Sequence, residues 1–195
     1  MCSSDLPPTT LKEFIAYAKE RPGKLTYGSA GSGSAGHLST VLMMSMTGIQ
    51  LIHVPYKGSG PALPDLLAGH LNLMMGNMAS AAPHVKSGKI RALGVTSARR
   101  SPAAPEIPAF AEAGLPGYDA SAWFALFAPA RTPAAVIGKI NSEVNQMMRT
   151  DDMKERLLPI GADPVAMTPA ELDKTVRADI IKWARVIKES GAKPD

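Results

Sequence analysis

With 195 residues and 45% hydrophobic content, the chain can bury the core of one domain or of two small ones. Its 21 Lys and Arg against 17 Asp and Glu leave a charge of +4, spread along the sequence rather than gathered into a patch, so no nucleic-acid footprint is present. No apolar run approaches the ~20 residues of a membrane span, nothing resembles a signal peptide, and a chain that is not membrane-embedded is expected.

Met1–Leu6 has no periodicity and holds the single cysteine, Cys2. Its reverse translation, GTG-TGC-TCT-TCC-GAT-CT, resembles the end of a sequencing adapter with GTG read as a start codon, so Met1 to about Leu6 is expected to be non-native, an ordinary disordered N-terminus being the alternative. Cys2 then says nothing about redox compartment. Thr10-Leu-Lys-Glu13 predicts a capping box, with Phe14, Ile15 and Ala18 on one helical face and a stop at Arg21-Pro-Gly23. Leu25–Tyr27 reads as the first strand, and the helix after the following Gly/Ser loop carries Leu38, Val41, Leu42 and Met46 and ends at Gly48. Ile49–Val54 reads as a second strand, followed by a turn at Lys57–Pro61 and a short helix to Ala68. Leu71–Met75 and Ile90–Thr96 read as two more strands, separated by a helical turn at Ala79–Lys86. Short strands joined by helices predict an α/β fold with a parallel sheet.

Residues 97–118 hold Pro102, Pro105, Pro108 and Pro116 around a short helix near Ala109–Ala113, a stiffened connection. Ser121–Ala128 reads as an apolar strand. Thr132-Pro133 predicts a cap and first-turn proline for a helix bearing Val136, Ile137, Ile140, Val144 and Met147. A short strand is expected at Asp163–Met167. Thr168-Pro-Ala-Glu171 opens a last helix whose stripe is Leu172, Val176, Ile180, Trp183 and Ile187, ending at Gly191. These apolar faces need a partner sheet that the sequence hardly supplies.

The richest segment for function is the loop from Gly28 through Ser29, Ala30, Gly31, Ser32, Gly33 and Ser34 to Gly36 and His37. A strand running through such a loop into a helix aims several N–H groups at one point, which suits a small anion. Gly31-Ser-Gly-Ser-Ala-Gly36 matches the dinucleotide fingerprint, but Val54-Pro-Tyr-Lys57 stands where that fold places an acid for the ribose. A phosphate loop needs a lysine at its end, where His37 stands. A plain tight turn competes with the cradle, though four glycines and three serines between Gly28 and Gly36 exceed what a turn requires. Tyr56 and Lys57 follow the second strand at the same sheet edge, and Asn77 and Ser80 follow the third; Tyr56 could cover a ligand or simply pack, and Lys57 could add charge or stay solvated. His37, His53, His70 and His84 lack metal-ligand spacing, His37 reads as a residue bonding the loop rather than a base, and no nucleophile elbow is present. No catalytic residue, metal or cofactor is expected.

Tyr27-Gly-Ser-Ala-Gly-Ser-Gly-Ser-Ala-Gly-His-Leu38, Met46-Thr-Gly-Ile-Gln-Leu-Ile-His-Val-Pro-Tyr-Lys-Gly58, Ile90-Arg-Ala-Leu-Gly-Val-Thr-Ser97, Pro108 through Glu112-Ala-Gly-Leu-Pro116, and Trp123-Phe to Ala128-Pro-Ala130 together resemble the Bug family. Those are extracytoplasmic solute-binding receptors of tripartite tricarboxylate transporters, and the likeness runs from about Leu6 to the C-terminus. It implies a type II periplasmic binding protein fold, with two α/β lobes closing on a small carboxylate, and transporter subunits as partners in the periplasm. The carboxylate would meet Gly28–Ser34, with further contacts near Tyr56 and Asn77. The family often carries an acid after the third strand where this chain has Gly76, which favours a plain carboxylate over an amino acid. Implied organisation is a central lobe over 7–120, then a crossover strand and helices of a second, largely missing lobe over 121–195. An effector-binding domain of a transcription regulator shares this lobe architecture and is the alternative; a dinucleotide-binding enzyme domain is the third.

If Met1–Leu6 derives from an adapter, long-read sequence of the source locus is expected to show an open frame continuing upstream of Pro7; a stop codon immediately before Met1 would refute that origin.

Overall fold

The computed structural model describes residues 1–190. Thr10 caps α1 (Leu11–Lys19) with both bonds of the expected capping box, and α1 buries Leu11, Phe14 and Ala18. The chain then runs through β2 (Leu25–Ser29), α2 (Ala35–Thr47), β3 (Leu51–Pro55), α3 (Ser59–Leu67), β4 (Leu73–Met74), α4 (Met78–Lys86) and β5 (Ile90–Arg91). Gly48 closes α2 as the sequence predicts, its N–H returning to Met44 O.

One strand was not anticipated. β1 (Cys2–Ser3) lies antiparallel between β4 and β5, giving the order β3-β2-β4-β1-β5. Such pairing uses main-chain groups that every residue carries, so Met1–Leu6 enters the sheet without side-chain periodicity. β2 pairs in parallel with β3 over five residues, from Leu25↔Leu51 to Ser29↔Pro55, and with β4 at Tyr27↔Leu73 and Gly28↔Met74.

Side-chain alternation splits the core between the two faces of the sheet. Leu25, Tyr27, Leu51 and Leu73 join α1, α2, Phe110 and Tyr118 on one face. Met74 and Ile90 join Ala62 and Leu66 of α3 and Ala81 of α4 on the other. Close approach is essential at two glycines. A Cβ on Gly28 would meet Leu71 Cδ1 at 2.5 Å, and one on Gly36 would meet the carbonyl oxygen of Met75 at 2.5 Å, which seats the start of α2 directly on the end of β4.

Beyond β5 the structure departs from expectation in several places. The strand expected to run to Thr96 ends at Arg91, and Val95 instead forms a single parallel bridge with Ala109. The helix expected at Ala109–Ala113 is only a turn closed by Ala113 N–H on Ala109 O, since Pro105 and Pro108 leave it no length to propagate. Ser121–Ala128 forms no strand: it has no pairing partner among the described residues, and Phe124, Leu126 and Phe127 are 96%, 73% and 71% exposed. Asp163–Met167 is likewise no strand. It is pinned by side chains, with Asn141 and Asn145 donating to Met167 O at 2.9 and 3.1 Å and Met167 N–H donating to Asn145 Oδ1.

α5 (Ala134–Met148) starts one residue later than expected, with Pro133 at its cap position and no side-chain cap. α6 (Asp151–Leu157), capped by Thr150, was not anticipated, because its charged composition carries no apolar stripe. α7 (Pro169–Ser190) opens at the expected Thr168/Glu171 capping box and packs on α2. Only Val186 of α7 is fully buried, with Trp183 against the same core, while Ile180 and Ile187 of the predicted stripe remain exposed. The predicted stop at Gly191 lies outside the described residues.

Gly36→Ala is expected to destabilise the fold by about 1–3 kcal/mol through its clash with backbone. Gly138→Ala, in open space inside α5, should stabilise it by up to about 1 kcal/mol. Urea unfolding of the two variants against the parent measures both.

Candidate functional site

The carboxyl ends of β2, β3 and β4 open onto one edge, and the chain leaves β2 toward β3 on one side before returning to β4 on the other. Ligands bind at such a switch point in open α/β sheets. Three helices, α2, α3 and α4, begin at this edge, and none has an acidic residue in its first turn. Elsewhere, the helices at Leu11–Lys19, Asp151–Leu157 and Pro169–Ser190 carry Glu13, Asp151 and Asp152, and Glu171 in theirs, while the helix at Ala134–Met148 has none. Carboxylates normally favour that position, so their absence leaves the positive helix ends at this edge uncompensated by their own side chains.

The loop between β2 and α2 is wired from within. Gly31 and Gly33 take positive φ of 124° and 78°, conformations that β-branched residues resist. Ser34 N–H donates to Gly31 O at 3.2 Å, and Ser34 Oγ caps α2 by accepting from His37 N–H. Gly33 N–H donates to His37 Nδ1 at 2.9 Å. The loop is fastened to β3 by Tyr56 N–H on Ser29 O and Gly58 N–H on Ala30 O. The N–H groups of Ala30, Ala35 and Gly36 find no acceptor among the described residues, leaving a small set of donors at the mouth of the loop.

The predicted site residues therefore separate into lining and frame. Ala30, Gly31, Ser32 and Ser34 are half-buried and Gly33 is exposed at the surface of the loop. Gly28 and Ser29, expected as ligand contacts, are buried beneath it instead: Gly28 lets Leu71 approach, and Ser29 Oγ bonds Gly31 N–H at 3.1 Å, Gly31 O at 3.0 Å and His53 Nε2 at 2.6 Å. His37 is buried and holds the loop, as its position in the first turn of α2 suggested. Tyr56 does not offer its phenol to the edge. Its hydroxyl donates to Asp65 Oδ2 at 2.5 Å and its ring packs on the α3 cluster.

Burial and the Asp65 carboxylate push the Tyr56 phenol up to about 12, while the Tyr56 hydroxyl and His70 hold Asp65 below the usual carboxylate range. Lys57 is exposed. Asn77 caps α4 by accepting from Ala79 N–H at 2.8 Å, and Ser80 Oγ turns back to Asn77 O, so Asn77 offers the edge its amide donors. His53 is the residue that sequence reasoning left out. Register places it opposite Tyr27, a signal available from strand pairing but not from spacing.

No acid follows β3, which ends at Pro55 before Tyr56 and Lys57, so the ribose contact of a dinucleotide site has no candidate there. Among the described residues no group of three or more His, Cys, Asp or Glu could hold a metal, and no helix is long and apolar enough to cross a membrane.

Residues 1–192 match the family model for the tripartite tricarboxylate transporter family receptor. The chain belongs to that family. It is 38% identical over 184 residues to the protein BugT of Bordetella pertussis, covering 94% of this chain and 56% of BugT. Among solved structures, R. palustris Rpa4515 with adipate is 39% identical with a TM-score of 0.86, covering 100% of this chain and 65% of that one. MatC from Rhodopseudomonas palustris, with bound malate, is 32% identical with a TM-score of 0.78, covering 95% of this chain and 64% of MatC. The α/β, periplasmic-binding-protein-like fold expected from the resemblance is the fold observed. The chain spans about half the length of most of the curated relatives it matches, 54% and 56% for two of them, and 94% of a shorter one from Pseudomonas knackmussii.

A phenol whose folded pKa lies above its unfolded value near 10 stabilises the fold below that value and loses the contribution as pH rises through the folded one. The absorbance difference between parent and Tyr56→Phe is expected to show this phenolate forming only at about pH 12; its appearance near pH 10 would show that Asp65 does not hold the hydroxyl. Tyr56→Phe should also lower the urea midpoint at neutral pH.

Proposed function

We propose that this chain carries the carboxylate-binding lobe of a solute receptor that delivers a small carboxylate to the membrane subunits of a tripartite tricarboxylate-type transporter, acting in the periplasm and transforming nothing. The observation that carries this reading is the meeting, at one edge, of the N–H groups of Ala30, Ala35 and Gly36 that find no acceptor among the described residues with three acid-free helix starts. Neutral donors and helix ends can match one or two negative charges, whereas a triphosphate calls for a lysine or metal that the loop lacks. Adipate and malate bound in the two similar structures support this ligand class. Ligand contacts are assigned to Ala30–Ser34 and the Asn77 amide, with Gly28, Ser29, His37 and the Tyr56 backbone as their frame and Lys57 as a solvated charge nearby.

Residues 7–120 are assigned to this lobe, and 121–190 to a crossover and helices that complete a second lobe. Support comes from the exposed apolar side chains of the crossover and of α5, Val136, Ile140 and Met147 among them. A clamp closing from both sides desolvates its ligand; one lobe still bears the loss of translational freedom, a cost of several kcal/mol, with about half the contacts. This chain should accordingly bind more weakly than a full-length receptor.

Calorimetry with adipate, malate and NAD tests the reading. Saturable heat with a dicarboxylate and no product on prolonged incubation is expected, and binding of NAD alone would sink it. Gly33→Val should weaken dicarboxylate binding by about tenfold or more, since a β-branched residue at positive φ costs ~1–3 kcal/mol. Lys57→Ala should change it by less than about threefold, the effect of a screened surface charge.

A further inference from the structure

Two imidazoles lie face to face beneath the loop. His37 and His53 stack with ring centroids 4.1 Å apart and planes within 3°, and Tyr27 closes the group at 4.9 Å from His53 and 6.3 Å from His37. The direction of one hydrogen bond sets the state of His37: Gly33 donates its N–H to Nδ1, so Nδ1 carries a lone pair and the ring is neutral with its proton on Nε2. A proton on Nδ1 would turn that acceptor into a donor facing another donor. His53 reaches the same loop through Ser29, whose Oγ accepts from Gly31 N–H. The two positive-φ glycines are thus each tied to one ring of the stack.

We propose that His37 is a positioning residue for the carboxylate loop, and that the His37–His53 stack makes the loop proton-sensitive: the neutral pair holds Gly31 and Gly33 in the binding conformation, and a proton taken up by the pair releases Gly33. The inference rests on reading this loop as the carboxylate site. Two cations repel strongly at the separation of the stacked rings, so the pair takes up at most one proton.

The groups brought by neighbouring elements do not supply this titration. From β2 comes the Tyr27 phenol, pushed up to about 12 by burial and therefore neutral throughout. α1 contributes Leu11 and Phe14 to the shared core, with Glu13 turned to its own cap. α7, packed on α2, contributes Trp183 and Val186, while its Asp179 and Lys182 pair with each other at 2.8 Å. Tyr118, beyond β5, donates to Ser39 O.

On the ¹⁵N-labelled chain, a long-range ¹H–¹⁵N spectrum at pH 8 should show His37 as the Nε2–H tautomer. As pH falls to 5.5, the Gly33 amide should shift and its protection from hydrogen exchange should fall. His37→Asn presents an amide oxygen in place of Nδ1 and takes up no proton, so its Gly33 amide should hold through the same range. His37→Leu, lacking an acceptor, should leave that amide unprotected at every pH. Adipate affinity in the parent is expected to fall by about three- to tenfold between pH 8 and 5.5 relative to His37→Asn, the effect of losing one hydrogen bond; the ratio cancels the ionisation of adipate itself. An Nδ1–H tautomer in the parent, the same Gly33 profile in parent and His37→Asn, or affinity that rises in acid relative to that variant would overturn the proposal. If neither adipate nor malate binds any form while the Gly33 amide follows His37, the carboxylate reading fails and the control of the loop by His37 stands.

Discussion

The five-residue parallel pairing of β2 with β3 is the constraint on which the rest depends. Its register sets Tyr27 opposite His53 and Ser29 opposite Pro55, which lets Tyr56 and Gly58 reach back to Ser29 and Ala30 with their N–H groups. A slip of one residue would reverse every side chain, moving Tyr27 out of the α1–α2 core and taking His53 away from His37. The loop's conformation follows from the strands beneath it rather than from the loop alone. Flexible glycines can therefore build a defined cradle: each is tied to a side chain that the sheet and helix have already placed.

Electrostatics at the edge follow from the same topology. Because β2, β3 and β4 are parallel, the helices that follow them all start at one edge, and their N-terminal ends converge there. Acids in the first turns would strengthen each helix, as at α1, α6 and α7, but would also place negative charge beside the loop. Their absence from α2, α3 and α4 gives up a local stabilising contribution of about 0.3–1 kcal/mol per helix and leaves the edge receptive to an anion. Such a concession at a site is intelligible when the remaining elements obey the ordinary rules.

Local signals were legible wherever they are self-contained. The Thr10/Glu13 and Thr168/Glu171 boxes, Gly48 at the end of α2, and the central strand–helix alternation all depend on neighbours within a few residues. Readings failed where the outcome depends on distant partners. Ser121–Ala128 has strand composition, but a strand exists only with a neighbour to pair with, and its aromatic side chains are left in solvent. Asp163–Met167 finds two asparagines instead of a strand. In the site, the Gly/Ser loop was visible from composition, whereas the inward turn of Tyr56 depends on Asp65 across α3, and the histidine stack depends on register. The acid-free helix starts were present in the sequence all along; what hid their meaning was that three separate helices had first to be brought to one edge.

Neutral donors hold an anion differently from a charged partner. A buried lysine would bind a carboxylate through a charge pair whose desolvation cost can match its Coulombic gain, and removing either partner would leave the other charge stranded. Backbone N–H groups that remain open to water keep acceptable partners with or without the ligand, so both loaded and empty states are tolerable and exchange needs no charge to be buried or released. Selectivity among anions at neutral donors comes from how many donors can meet each oxygen. In the segment after Ser121, Trp123 is anchored to Asp179 through its indole N–H at 2.7 Å while Phe124, Leu126 and Phe127 stay in solvent. The segment is thus fastened at one end by a side-chain bond to α7 and carries a contiguous uncovered apolar stretch beside it.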